Sequence, residues 1–477
     1  MNPYHQFIKN LPLHEEMNEF SVRRLAQGLA HYVRMHSDSA MSRGVVIAYD
    51  SHPGSLNYAQ QVAMVLAKSK IDTYFFSEHQ PLPLLAYAIR ELGAFSGIMI
   101  SVEPDAERQF SVTVYDDEGD PISKPHVVRL LTFIELVKDE SDVKTMPQGM
   151  AQSLGLLRYL GRDMELKYMA HALRMREYPT IPISGEEPLR IIYTPLYGSD
   201  TGLVSELLTV AGFSQVTVMT RQELLEELPP DWINSKAYQS VTQIAEEKGA
   251  DIVLGTDPQA IRVVVAVRKF DGTYMVLSDD QVDTLLHHSY SNEMGRSIIP
   301  ERDGVLACLL LAEMAAHSKA EGQTLIDIML HLTKSYGSFC KEQAIIPLQC
   351  SNDPECVQKV MSYLRDNRRS LVGEWRVERI LDHKQGIMYN PLHNTEEPLT
   401  LPNTDMLHFA LGDGSWFAIR PSKFEPELRV DYCVAGNSEH EFKQKLDRLN
   451  QTVVELVKYV NFATRVQIRR KTKIHCD

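Results

Sequence analysis

Short apolar runs alternate with amphipathic helical stretches through the first part of the chain. Runs rich in β-branched and aromatic residues occur at Val45-Val46-Ile47-Ala48-Tyr49, Thr73-Tyr74-Phe75-Phe76 and Gly97-Ile98-Met99-Ile100. Between them, Tyr58 to Lys68 carries Val62, Val65 and Leu66 at helical spacing, and Leu84 to Leu92 does the same with Leu85, Ala88 and Ile89. Short strands separated by helices of this length predict βαβ units and a mostly parallel sheet. A broken helical stretch from Ala151 to Arg176 comes next, then the linker YPTIPISGEEP. The alternation restarts with a strand at Leu189 to Tyr193, a helix at Thr201 to Ala211, and strands at Gln215 to Met219, Asp251 to Leu254 and Val263 to Val267. From Gln281 to Phe339 the pattern is nearly all helical. Beyond Lys341 a helix (Pro354 to Arg365) joins short strands at Met406 to Leu411, Trp416 to Ile419 and Leu428 to Val434. A long helix ends the chain, opened by Ser438 and Glu441 at capping-box spacing and striped by Phe442, Leu446, Leu449, Val453, Leu456 and Val460.

These patterns predict an α/β, multi-domain protein: two α/β sandwich domains (1–150 and 151–280), a helical connector (281–340), and an α+β C-terminal domain (341–477). With 477 residues, the chain is too long for a single core. Its formal charge of −14 argues against a nucleic-acid binder and against an anionic membrane surface. No apolar run approaches the ~20 residues that span a bilayer, and MNPYHQFIKNLPLHEE has no apolar core of a signal peptide. The 6 cysteines include no C-x-x-C pair, so a reducing cytoplasm is the expected compartment. The basic end, RVQIRRKTKIHCD, reads as a solvated tail.

Six collinear stretches resemble the α-D-phosphohexomutases (phosphoglucomutase/phosphomannomutase), especially their bacterial phosphoglucomutase branch. SRGVVIAYDSHPGS resembles the family's "GYDSR" turn, and FSGIMISVEPDAERQFSVTVYDDEGDPI resembles "GIMITASHNPxxYNGYKVYxxDGGQL" without a gap. IIYTPLYGS resembles "VVxTPLHGT", and ADIVLGTDPQAIRVVVAV resembles the metal loop "ADLVLATDPDADRLGVAV". DGVLACLLLAEMAAHSKAEGQTLIDIMLHLTKSYG resembles helices that follow the sugar loop, and GSWFAIRPSKFEPELRVDY resembles the phosphate loop "GSWxxxRPSGTEPKxKFY". The resemblance implies the family's domain order, with 1–150 and 151–280 as α/β/α domains, 281–340 as a reduced helical third domain and 341–477 as the α+β domain, and a hexose phosphate as the ligand class.

It also shows what has changed. The family's phosphoryl-carrying serine is replaced by Glu103, with Pro104 and Asp105 for the histidine and asparagine that follow, while Ser101 stands at the threonine two residues earlier. Glu103 reads either as a crude negative mimic of phosphoserine or as an exposed loop residue. In the metal loop, three aspartates at D-x-D-x-D spacing would hold Mg²⁺. Here only Asp257 remains, because Gln259 and Ile261 occupy the other two positions, so no cofactor is expected. In the phosphate loop Arg420 and Ser422 match, but Lys423 replaces a glycine whose lack of a side chain lets backbone N–H groups approach phosphate; its charge could still attract phosphate, so Arg420, Ser422 and Lys423 are the candidate phosphate-binding residues. Between Leu286 and Asp303 only HHSYSNEMGRSIIPER stands where the family has most of its third domain. A preserved core around altered loops reads as a pseudoenzyme. It would bind a hexose phosphate or a protein partner such as an active mutase. The alternative is a working mutase with reassigned residues.

Overall fold

The computed structural model describes residues 18–102, 110–176, 188–195, 202–219, 236–257, 259–291, 303–336, 338–349, 355–368, 370–399, 404–422, 426–436 and 438–474. Two compact units result, Met1–Val276 with Pro300–Ala316, and Leu277–Ile299 with His317–Asp477.

In the first unit, helix α1 (Glu19–His36) starts at Asn18, whose side chain accepts the Ser21 N–H at 2.9 Å while Ser21 Oγ accepts the Asn18 N–H. After α2 (Asp38–Arg43) come β1 (Val45–Tyr49), α3 (Pro53–Lys68), β2 (Thr73–Phe76), α4 (Leu82–Leu92), β3 (Ser96–Val102) and β4 (Phe110–Tyr115). Then follow α5 (Lys124–Leu136), α6 (Gln148–Ser153), β5 (Leu157–Leu160) and α7 (Arg162–Arg174). The sheet order is β4-β3-β1-β2-β5, parallel except for β4. Every residue of β1 is buried, as expected for a parallel strand covered on both faces. Val45, Ile47, Ile98 and Ile100 join Leu25, Leu29, Val62 and Ile134 from the helices in one apolar core.

The second sheet comprises β6 (Arg190–Pro195), β7 (Gln215–Val218), β8 (Ile252–Thr256), β9 (Val263–Arg268) and β10 (Tyr274–Val276), with α8 (Leu203–Ala211) and α9 (Lys236–Lys248) between strands. Its order, β10-β9-β8-β6-β7, repeats the first four strands of the first sheet: the opening strand lies between the second and third, and the fourth runs antiparallel to the third, while the fifth joins the opposite edge.

Helix α10 (Asp279–Ser291) belongs to the second unit, and α11 (Gly304–Ala320) starts in the first. The second unit continues with α12 (Leu325–Tyr336), β11 (Ser338–Pro347), α13 (Cys356–Asp366), β12 (Leu371–Val372), β13 (Trp375–Asp382), β14 (Ile387–Asn390) and β15 (Thr395–Pro398). It ends with β16 (Leu407–Leu411), β17 (Trp416–Pro421), β18 (Glu427–Gly436) and α14 (Glu439–Ile474). These strands form an antiparallel sheet, β11-β18-β17-β16-β13-β14-β15, with β12 paired to β13. One face of the sheet packs on α13 and α14 through Val360, Met361, Phe417, Ile419, Val430, Leu449 and Val453.

The mixed α/β architecture is the one read from the sequence, with three local corrections. The stretch from Ala151 to Arg176 is not only helical, because β5 interrupts it and pairs parallel to β2. Its buried residues are Leu157 and Leu160, a spacing of three that imitates a helix, and pairing with β2 overrides it. On α14, Val457 is fully buried while Leu456 is only partly so. The backbone of α14 also stays helical to Ile474, through most of the segment read as a tail. Cys308 and Cys433 are buried, and Cys356 is disulfide-bonded. Among the described residues no helix is long and apolar enough to cross a membrane.

Candidate functional site

In open α/β sheets, ligands bind outside the carboxyl ends of the strands where the crossover direction reverses. In the first sheet that point lies between β1 and β3, and in the second between β6 and β8. The loops after Val102 and Thr256 are therefore the natural places for chemistry.

Asp50 organises the first of these places. Its N–H donates to Ile100 O at 3.0 Å, its Oδ2 accepts the Val102 N–H at 2.7 Å, and its Oδ1 accepts the His52 N–H at 3.1 Å. One carboxylate thus ties the ends of β1 and β3 and starts the turn into α3, where His52 Nδ1 accepts the Gly54 N–H. Phe110 stands edge-on to the rings of His52 and Tyr58, with centroids 5.2 and 4.7 Å away. Val102 pairs with Phe110, so β3 and β4 form the stem of the intervening loop. Glu103 lies in that loop, outside the described residues. Ser101 is only 3% exposed, and its Oγ accepts a hydrogen bond from Gln259 Nε2 at 2.8 Å.

Gln259 belongs to the second place, a tight turn built by Asp257. The Asp257 Oδ1 accepts the Ile261 N–H at 2.6 Å and the Arg262 N–H at 3.2 Å. The Ala260 N–H donates to Asp257 O at 2.9 Å, and Ala260 has φ +50°, in the left-handed region that costs a residue with a Cβ. Its carbonyl accepts the Gly304 N–H at 2.8 Å. A Cβ on Gly304 would stand 2.7 Å from that oxygen, so glycine is required for the approach. Asp303 then caps α11, accepting the Leu306 N–H at 2.8 Å and the Tyr168 hydroxyl at 2.6 Å. Burial pushes the Asp257 carboxyl above the usual carboxylate range, opposed by the amide bonds from Arg262 and Ile261 and by the Arg262 charge. Arg262 meets Asp257 through its backbone N–H.

This turn does not fit Mg²⁺. An octahedral hard cation needs several oxygen ligands at once. Asp257 offers one carboxylate whose Oδ1 already accepts two amides, Gln259 turns a donor toward Ser101, and Ile261 has no ligand atom. Among the described residues no group of three or more His, Cys, Asp or Glu is arranged to hold a metal ion.

In the second unit, Arg420 projects from β17. Its Nε lies 3.2 Å from Asp431 Oδ2, and its Nη2 donates to Asp431 Oδ1 at 3.4 Å. Gln343 on β11 donates to the same Oδ1 at 2.8 Å. The register sets Ala418 against Asp431, so Arg420 reaches its partner diagonally across the ladder. The Ser422 N–H donates to Glu427 O at 3.1 Å and closes the hairpin mouth. Lys423 lies outside the described residues. Neither Asp431 nor the contact between Ser101 and Gln259 was among the sequence candidates. The alternation in ELRVDY, which puts Arg429 and Asp431 on one face of a strand, was the available signal for Asp431.

Comparison with known proteins agrees with this anatomy. Residues 8–139 match the family described as phosphoglucomutase/phosphomannomutase, alpha/beta/alpha domain I, and residues 167–272 match its alpha/beta/alpha domain II. A phosphoglucomutase from Staphylococcus aureus is 22% identical over 503 residues, covering 91% of this chain and 89% of the relative. One from Staphylococcus epidermidis is 21% identical over 485 residues, covering 87% of this chain and 86% of the relative. A solved phosphoglucomutase/phosphomannomutase family protein from Burkholderia thailandensis superposes with a TM-score of 0.50 at 13% identity, covering 92% of this chain and 94% of that one.

Proposed function

The chain belongs to the phosphoglucomutase/phosphomannomutase family, and we propose that it has lost that family's phosphoryl transfer and acts by binding, to a hexose phosphate or to a protein partner such as an active mutase. The observation that carries this reading is the state of Asp257, the last carboxylate of the D-x-D-x-D positions. Its Oδ1 is occupied by two amides of its own turn, beside an amide and an isoleucine where two more ligands would stand. Phosphoryl transfer depends on neutralising charge on the moving group. Arg420 supports the same reading, since its charge is balanced by Asp431 within its own sheet. The competing reading, a working mutase with reassigned residues, draws on the relatives being named phosphoglucomutases.

The test is turnover of glucose 1-phosphate and mannose 1-phosphate with hexose bisphosphate and Mg²⁺, beside thermal melts with millimolar hexose phosphates. No turnover is expected, and turnover abolished by Asp257→Ala would overturn the proposal. A ligand stabilises the native state by mass action. A midpoint shift lost in Arg420→Ala therefore selects the phosphosugar, and no shift selects the protein partner.

A further inference from the structure

Gln259 makes two contacts with the first sheet's elements, through different atoms. Its side-chain amide donates to Ser101 Oγ at 2.8 Å, at the end of β3, and its backbone carbonyl accepts the Leu82 N–H at 3.1 Å, at the start of α4. Leu82 is 1% exposed and Ser101 3%, so the first sheet's partners in both contacts are buried, while Gln259 itself is half-buried. The turn that presents Gln259 has little freedom. It is held by Asp257 Oδ1 on one side and by the Gly304 N–H bond to Ala260 O on the other. Both bonds from Gln259 to the first sheet are neutral.

We infer that Gln259 is a metal-independent clasp between the two α/β halves of the first unit, joining them at the strand ends by neutral hydrogen bonds. A carboxylate at this position would bring only acceptors. It could accept a hydrogen bond from the Ser101 hydroxyl but would add a half-buried charge with no cation. Glutamine has the donor that Ser101 Oγ can accept and carries no charge. The clasp therefore holds the halves in register without a divalent cation and without a phosphoryl group on the loop. It stands apart from the proposed function, since a junction of this kind serves a sugar-binding or a protein-binding member equally.

Hydrogen exchange on the full chain tests the clasp, read in peptides covering residues 82–86, 97–102 and 254–262. In Gln259→Ala, exchange in these peptides should accelerate about fivefold, the equilibrium factor of one net hydrogen bond. Ser101→Ala removes one hydroxyl and no bulk, tests the bond from the other end, and should produce the same acceleration. The double variant should exchange no faster than either single one, the mark of a shared contact. Wild-type exchange should be identical in Mg²⁺ and in chelator. Unchanged exchange in Ser101→Ala would overturn the clasp, as would additive effects in the double variant. Protection of the wild type that grows with Mg²⁺ would overturn its metal independence.

Discussion

Replacing Asp257 by Asn and by Ala separates a turn organiser from a metal ligand. Asn keeps an Oδ1 that accepts the Ile261 and Arg262 amides and removes the charge. Burial, the largest influence on this carboxyl, disfavours its charged form, so losing the charge costs little beyond the weakening of two charge-assisted bonds. Ala removes the acceptor from both amides, at 2.6 and 3.2 Å. Hydrogen bonds to charged groups contribute roughly 1.5–3 kcal/mol each, and the longer one lies at the weak end, so Ala should cost about 2–4 kcal/mol. Asn should stay within about 1 kcal/mol of wild type. The assay is urea unfolding in chelator and again in millimolar Mg²⁺, with hydrogen exchange across 252–262 assigning the loss to this turn. A metal ligand would behave differently. Wild type would gain stability with Mg²⁺ by mass action, and Asn would lose that gain. Asn as damaging as Ala, or a Mg²⁺-dependent wild type, refutes the reasoning.

Two glycines should respond to alanine with opposite signs. At Gly28 the new Cβ would stand 2.4 Å from Ile134 Cγ1 and 2.9 Å from Ile134 Cα, forcing α1 from α5 at a cost of about 1–3 kcal/mol, whereas Gly149 has nothing within 4 Å and should gain up to about 1 kcal/mol. Denaturation midpoints moving in the same direction would contradict this. His171 and His383 are both pushed down to about 4, each chiefly by burial, with Arg90 and Arg174 adding to the effect at His171 and Asp382 opposing it at His383. Both stay neutral in the fold while the unfolded chain takes up protons below about 6.5. Their contribution is therefore complete above that pH and should fall by up to about 1.4 kcal/mol per pH unit for each histidine as pH drops toward 4. Among the described residues neither ring nitrogen of His383 has a hydrogen-bond partner, so His383→Phe should remove its share of the acid sensitivity, measured as midpoint against pH, without loss at pH 8. Arg365 is 6% exposed and lies between Asp382, 3.2 Å away, and Asp405. Arg365→Met leaves two acidic groups without it and should cost about 3–5 kcal/mol, and a midpoint unchanged within error would show that the pair contributes nothing.

Much of the fold was legible because burial leaves a periodic mark. Strands β1 and β3 are buried on both faces and read as continuous apolar runs. Strand β5 was missed because pairing with β2, and not its own pattern, makes it a strand. The hairpin of β14 and β15 was missed for a related reason: its residues are half-buried or exposed, so no alternation records it. The stripe on α14 was read on a seven-residue repeat that passes through Leu456 to Val460. A straight helix of 3.6 residues per turn drifts from that repeat by about 20° per heptad, and it buries Val457 instead.

By itself the sequence determined which side chains stand at the positions the family resemblance marks: Asp257 beside Gln259 and Ile261, Glu103, and Arg420 followed by Lys423 where the resemblance has a glycine. Only the tertiary structure decided where those side chains turn. Gln259 meets Ser101 across 158 positions, and Arg420 meets Asp431 through strand register. Side-chain type and periodicity are local properties of a chain, so they survive reading in one dimension. A hydrogen-bond partner is chosen by which strand ends a sheet order brings within 3 Å, and that order comes into being only when the whole core packs.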